Sequence, residues 1–202
     1  MNATAHQPEI CQEDEMRAQM YDFLGLLLSR PPTVEVLKQT RALSGDESDL
    51  GEAINAMARV AKVTKPAAVE SEFTALFIGL GRGELLPYTS YYLTGFLNEK
   101  PLAALRQEMK ALRITRAQNV FEPEDNIASL LEMMAGMIRG RFGDPVALEK
   151  QTAFFNKHIG SWASHFFDDL AAAKNSVFYA SVGTAGKAFI EIEREAFRMN
   201  AD

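Results

Sequence analysis

The chain has 202 residues, of which 47% are hydrophobic and 24% are charged, a composition typical of a globular protein with a substantial core. Its formal net charge of −6 argues against nucleic-acid binding, because neutralising phosphates requires a basic stripe and the sequence contains none. Cys11 is the one cysteine, so no internal disulfide can form, and the three histidines supply no Cys/His set for a structural zinc ion.

The N-terminal sequence MNATAHQPEICQEDEM lacks the basic segment followed by an apolar segment that marks a secretory signal. No apolar stretch approaches the roughly 18 residues that a membrane-spanning helix needs. We therefore expect a cytoplasmic protein without stable membrane insertion.

Apolar residues recur at spacings of three and four residues through most of the first half of the chain, which predicts helices. Pro31 and Pro32 end the first helix, since proline cannot continue the hydrogen-bond ladder. Thr33 is expected to cap the second helix, and Ser48 or Asp49 the third. The predicted helices are residues 12–29, 34–43, 49–63 and 66–80.

The second half of the chain shows the same periodicity, with breaks at the sequence FGDP, at Gly160 and at the turn 174–176. Asn98 is expected to cap the first helix of this half, with Pro101 in its first turn. These helices are predicted at residues 98–112, 123–142, 145–157, 161–173 and 177–199.

Sustained alternation of Val, Ile and Thr is absent, so no sheet is expected. The pattern predicts an all-α fold, a compact bundle of roughly eight to ten helices. We expect a single domain covering 1–202, and a division into two helical halves near the loop 79–98 is the alternative.

The stretch ALFIGLGRGELLPYTSYY contains three closely spaced glycines, Gly79, Gly81 and Gly83. A phosphate-binding glycine loop needs a strand before it and a helix N-terminus directly after it, whereas here a helix precedes and no Lys-Ser/Thr pair follows. The pattern favours a helix end with a left-handed glycine and then a sharp turn. We interpret Arg82 and Glu84 as a local ion pair in this loop.

Two further stretches are candidates for binding. The tyrosines of PYTSYY suit a peptide-binding surface, although composition alone favours packing inside the protein with bonded hydroxyls. In FEPEDNIASLLEMM, Pro123 and the acids Glu122, Glu124 and Asp125 suit a helix N-terminus. They could instead pair with arginines of a partner. A metal site is a weaker interpretation, because consecutive carboxylates on a helix point in different directions.

Taken together, these stretches resemble the TorD/DmsD/NarJ family of molybdoenzyme-specific chaperones, in their order, spacing and helical surroundings. The matching pieces are Phe73-x-x-Leu76-Phe77, Pro87-Tyr88-x-Ser90-x-Tyr92 and Glu122-Pro123-x-Asp125. The family commonly has His after the Asp, and this chain has Asn126, which forms hydrogen bonds but carries no positive charge.

The resemblance implies a TorD-like fold and a cytoplasmic chaperone rather than an enzyme. Such proteins bind the twin-arginine signal peptide, or another segment, of an apo-molybdoenzyme of the DMSO reductase family, support cofactor insertion and delay export. The resemblance also implies no resident cofactor, weak guanine-nucleotide binding, and a monomer or a domain-swapped dimer.

A binder of such a leader needs acids beside an apolar groove, since the leader combines two arginines with an apolar segment. We expect Glu122, Asp125 and Glu124 to face the arginines and the aromatic residues to line or support the groove. The candidate peptide-binding residues are Phe73, Leu76, Phe77, Tyr88, Ser90, Tyr92, Glu122, Pro123, Asp125 and Asn126.

Two other functions remain open at this point. One is a nucleotide- or small-molecule-binding enzyme that uses the loop Gly79–Gly83 and the carboxylates, and the other is a helical scaffold subunit. No arrangement of a nucleophile with a base can be placed in the sequence, so we predict no catalytic residues. The resemblance implies that the protein is not an enzyme.

Overall fold

A computed structural model describes residues 10–118 and 120–200, and it confirms the all-α fold. A π-helical turn, Thr74–Ile78, continues the fourth helix. Within the described ranges no β-strand forms. The helices are α1 Gln12–Ser29, α2 Val34–Arg41, α3 Asp49–Val63, α4 Pro66–Phe73, α5 Thr89–Thr94, α6 Lys100–Ala111, α7 Ile127–Arg139, α8 Leu148–His158, α9 Ala163–Ala172 and α10 Phe178–Met199.

Local caps set several helix starts as the sequence predicts. Thr33 accepts a hydrogen bond from the backbone N–H of Val36 at the start of α2, and Ser48 accepts one from Gly51 at the start of α3. These caps satisfy N–H groups that have no partner inside the helix.

Several expectations about the helices differ from the structure, and the predicted starts of α8 and α9 lie two to three residues too early. Glu99 rather than Asn98 occupies the N-cap position of α6, without a capping hydrogen bond from its side chain, and Asn98 adopts a left-handed conformation with φ 60°. Helix α7 begins at Ile127, four residues after Pro123, because Asn126 accepts the hydrogen bond from the Ala128 N–H. The sequence predicts no helix at the position of α5, since this segment carries no apolar stripe.

Helix α1 packs along α7, and α10 packs against α9 and α3. The core between them is rich in aromatic side chains, and Trp162 is buried there as a core residue. Helices from both sides of the loop 79–98 therefore contact one another. The assignment of a single domain stays a prediction.

The long helix α10 receives its N-terminal cap from α4. The carboxylate of Glu72 accepts hydrogen bonds from the backbone N–H groups of Val177, Phe178 and Tyr179, at 2.8, 3.1 and 2.7 Å. Helix α10 has no capping side chain at its own start. Glu72 thus satisfies N–H groups and complements the positive end of the helix dipole.

The predicted ion pair between Arg82 and Glu84 is wrong. Glu84 accepts hydrogen bonds from the backbone N–H groups of Lys174 and Asn175, at 2.6 and 3.1 Å. Arg82 donates to the Tyr91 hydroxyl at 2.9 Å, with its guanidinium 5.4 Å from the centre of the ring. Each side chain therefore fastens the loop to a different part of the fold.

Candidate functional site

The structure brings together the two stretches that were singled out in the sequence. The Thr89 N–H donates to the carbonyl oxygen of Asp125 at 3.0 Å, and the Ile127 N–H donates to that of Pro87 at 2.8 Å. Tyr88 and Asn126 form an isolated antiparallel bridge between these two bonds. The N-termini of α5 and α7 are therefore joined by their backbones.

The carboxylate of Asp125 completes this junction. Its Oδ2 accepts hydrogen bonds from the Ser90 N–H at 2.8 Å and from the Ser90 hydroxyl at 2.5 Å. Helix α5 has no capping side chain of its own, so Asp125 caps it from 35 residues away. Asp125 is only 1% exposed, and Ser90 is fully buried. The expectation that Asp125 faces a partner's arginines is therefore not met in this structure.

Asn126 plays a similar part at the start of α7. Its Oδ1 accepts the hydrogen bond from the Ala128 N–H at 2.9 Å, and the residue is 9% exposed. A neutral amide suffices for this cap. The departure from the family's usual histidine is thus compatible with the local structure of the junction.

Two adjoining clefts open beside the junction. The first, which we call the acidic cleft, has a volume of about 490 Å³ and lies between α1, α7 and the segment before α7. The second, the aromatic cleft, has a volume of about 330 Å³. The acidic cleft is lined by the carboxylates Asp22, Glu122, Glu124 and Glu132. The apolar lining of the aromatic cleft includes Leu28, Phe73, Phe77, Ile78 and Pro87.

The two clefts meet at four residues that line both: Val120, Glu122, Ser129 and Glu132. Tyr88 lines the aromatic cleft and donates its phenolic hydrogen to Oε1 of Glu122. An extended or helical ligand that crosses this boundary would therefore pass from a surface with carboxylates to a surface with aromatic rings.

Two of the four carboxylates are already paired with arginines. Glu124 accepts hydrogen bonds from Nε and Nη2 of Arg106, at 3.0 and 2.8 Å. Burial raises the pKa of Glu124, but the bonds from Arg106 outweigh it and the pKa lies below its ordinary value. Asp22 accepts hydrogen bonds from both Arg139 and Arg141.

The other two carboxylates, Glu122 and Glu132, form no ion pair among the described residues. Burial raises the pKa of Glu122 above its ordinary value. Burial also raises the pKa of Glu132 and the charge of Asp22 raises it further, while the charges of Arg141 and Arg30 offset part of this rise. The boundary of the two clefts therefore carries negative charge that a cationic ligand would stabilise.

The predicted site residues fall into three groups. Phe73, Phe77, Tyr88, Glu122 and Asn126 line the aromatic cleft. Leu76, Ser90 and Asp125 are buried in the fold, and Pro123 is half-buried beside them. Tyr92 points to α9, where its hydroxyl donates to Asp169 at 2.8 Å and its ring lies 5.0 Å from that of Trp162.

Sequence reasoning missed Glu132. Helix α7 has the sequence IASLLEMMAGMIR, in which Glu132 is the one acid among apolar residues. A lone carboxylate in an otherwise buried helix is a signal that could have identified it.

Both ends of the glycine loop are bonded to the π-helical turn that precedes it. The Gly79 N–H donates to the Thr74 carbonyl at 2.7 Å, and the Glu84 N–H to that of Ala75 at 3.1 Å. Gly79 has φ 61°, and a Cβ there would lie 1.9 Å from the carbonyl oxygen of Arg82. The loop requires glycine because the backbone folds back on itself, in agreement with the helix-end interpretation.

A larger cleft of about 900 Å³ lies between the start of α1, α3 and the end of α10. Its central ionic groups are compensated, since Nε of Arg17 donates to Oε1 of Glu193 at 2.8 Å and the Tyr21 hydroxyl donates to Oε2 at 2.8 Å. It therefore offers less to a charged ligand than the boundary of the acidic and aromatic clefts. Its rim includes the exposed side chains of Met16 and Ile192.

In the described ranges, no group of three or more His, Cys, Asp or Glu side chains converges as a metal site. None of the helices described there combines the length and apolar character needed to cross a bilayer.

Comparison with known proteins identifies the family. The model of the nitrate reductase delta subunit family matches residues 44–168, more than half of the chain. The chain belongs to this family. It is the family of the TorD and NarJ proteins, as the sequence motifs predict.

Relatives extend the match to nearly the whole chain. Chaperone protein TorD of Aliivibrio fischeri is 24% identical over 208 residues, covering 92% of this chain and 96% of that protein. Chaperone protein TorD of Vibrio cholerae is 27% identical over 205 residues, covering 90% and 91%. A crystal structure from Archaeoglobus fulgidus, assigned to redox enzyme maturation, shares the fold with a TM-score of 0.55, 21% identity and coverage of 95% and 99%.

The junction predicts a stability role for Asp125. Asp125→Ala should lower the free energy of unfolding by about 2–3 kcal/mol, because it leaves the Ser90 N–H and hydroxyl without their charged acceptor. Urea unfolding followed by circular dichroism measures the change. Glu122→Ala, at an exposed position of the same motif, should change stability by less than about 1 kcal/mol. Equal stability of the Asp125 variant and the parent would contradict the capping role.

Proposed function

We propose that this protein is a cytoplasmic chaperone that binds the twin-arginine leader of an apo-molybdoenzyme of the DMSO reductase family. Binding would hold the enzyme until its molybdenum cofactor is inserted and so delay its export. Membership of the TorD/NarJ family and the chaperone names of the relatives support the general class. The leader as ligand rests on the geometry of the two clefts.

One observation carries this proposal. Glu122 and Glu132 form no ion pair among the described residues, and both lie where the acidic cleft meets the aromatic cleft. A leader has the same arrangement of properties, since two arginines precede an apolar segment. Both arginines would lie in the acidic cleft, the first of them between Glu122 and Glu132. The apolar segment would lie against Phe73, Phe77 and Ile78.

The electrostatics favour arginine at this position. A partly buried carboxylate has lost part of its hydration, and a guanidinium can return two parallel hydrogen bonds to it. Lysine offers a point charge that is more strongly hydrated and lacks the planar pair of donors. The site is therefore expected to prefer arginine over lysine.

The apolar side of the site is preorganised by ring contacts. The ring centres of Phe73 and Phe77 lie 4.9 Å apart, and that of Phe77 lies 5.5 Å from that of Tyr179. The Tyr179 hydroxyl donates to the Leu27 carbonyl at 2.8 Å, which fixes the third ring against α1. Rings that are already held in place lose little conformational entropy when a ligand packs on them.

No observation favours the enzyme alternative. The backbone N–H groups at both ends of the glycine loop donate to carbonyls of the preceding π-helical turn. Asp125 and Glu124 have separate partners in Ser90 and Arg106. The proposed function requires no resident cofactor. The absence of enzyme activity stays a prediction.

Charge neutralisation at the cleft boundary should weaken leader binding. Glu122→Gln and Glu132→Gln should each raise the dissociation constant of a synthetic twin-arginine leader about tenfold, at the lower end of the range for partly desolvated charge pairs. Isothermal titration calorimetry measures it. Glu52→Gln, an exposed acid of α3 that lines neither cleft, is the matched control. Parent affinity in both cleft variants would rule out the proposed site.

The same carboxylates predict how binding depends on pH. They must be ionised to pair with arginine, and their pKa values are raised. Leader affinity should therefore begin to fall as the pH decreases while ordinary glutamates, with a pKa near 4.5, are still ionised. The double variant Glu122→Gln/Glu132→Gln should lose this dependence. An identical pH profile in the parent and the double variant would contradict the assignment.

A further inference from the structure

The acidic cleft is already lined by two arginines of the protein itself, Arg141 beside Asp22 and Arg116. The segment that joins α6 to α7 lines the cleft with Ile114, Thr115, Arg116 and Ala117 and, further on, with Val120 and Glu122. Arg116 is the one guanidinium in this part of the lining. Its side chain is 41% exposed, so it is partly hydrated rather than locked in the core.

Two arginine side chains lie beside the carboxylate of Glu124, one near each carboxylate oxygen. Oε2 accepts the two hydrogen bonds from Arg106, at 3.0 and 2.8 Å. Oε1 lies 3.8 Å from Nη1 of Arg116, which is beyond hydrogen-bond distance. The contact of Arg106 is thus a close, directed pair, whereas the contact of Arg116 is a loose one.

We infer that Arg116 is an internal competitor that occupies Oε1 of Glu124 until the second arginine of a leader displaces it. This inference rests on the proposed function of the clefts. The first arginine of the leader pairs with Glu122 and Glu132, and the second takes the place of Arg116. Arg106 remains on Oε2 throughout, so Glu124 is never left without a cation.

The energetics are consistent with displacement. A loose and partly exposed ion pair contributes little, so its loss costs little. A guanidinium that approaches Oε1 to hydrogen-bond distance in the less hydrated cleft gains more than Arg116 does at 3.8 Å. Arg116 then limits the affinity of the site for leaders with two arginines and leaves its affinity for leaders with one arginine nearly unchanged.

The test compares two peptides on four forms of the full-length protein. One peptide is a twin-arginine leader, and the other is the same leader with its second arginine replaced by glutamine. The protein forms are the parent, Arg116→Gln, Arg116→Lys and Lys110→Gln. Lys110 is an exposed residue of α6 that does not line the cleft, so its variant reports the general effect of removing one positive charge.

Arg116→Gln should tighten binding of the twin-arginine leader about threefold, the order expected when an exposed ion pair stops competing. It should change binding of the single-arginine peptide no more than Lys110→Gln does. Arg116→Lys should stay close to the parent. Thermal melting followed by circular dichroism shows whether each variant keeps the fold.

Three outcomes would overturn the inference. If Arg116→Gln tightens the binding of both peptides equally, the cause is the general change in charge, and Arg116 does not compete at Glu124. If Arg116→Gln changes the affinity for neither peptide while Glu122→Gln still weakens binding, the proposed leader site is retained and only the competitor role of Arg116 is excluded. If the parent binds neither peptide, both the proposed function and this inference fail.

Discussion

The candidate site depends on one non-local contact, the hydrogen bonds from Ser90 to the buried carboxylate of Asp125. A six-residue helix such as α5 is too short to form on its own, because the first turn costs more conformational entropy than its hydrogen bonds return. Asp125 supplies the cap that the local sequence lacks. The two backbone hydrogen bonds on either side then fix the starts of α5 and α7 relative to each other, and both clefts open beside that junction.

Three neighbouring acids of one motif consequently have three different environments. Asp125 is buried and accepts its hydrogen bonds from the fold. Glu124 is held by Arg106, while Glu122 receives only a tyrosine hydroxyl. A single acidic stretch can therefore stabilise the fold and also present negative charge to a ligand, with different residues for each role.

The sequence predicts those structural features that depend on residues close together in the chain. The bounds of α1, the caps of α2 and α3 and the all-α class follow from apolar periodicity and from side chains within three residues of the helix start. Helix α5 and the contacts of Glu84 depend on residues 35 and 90 positions away, which no local pattern reveals. For the same reason the sequence could not distinguish Asp125 from Glu122. The sequence is sufficient to identify Glu132 as the single acid of α7. It does not reveal that Glu132 lies between two clefts.

The location of the bound leader tests the central claim most directly. A twin-arginine leader with a photoreactive phenylalanine derivative directly after the second arginine can be crosslinked to the full chain, and the adducts mapped by mass spectrometry. We expect adducts within residues 73–78 and 120–132. Adducts confined to the larger cleft, around Met16 and Ile192, would contradict it.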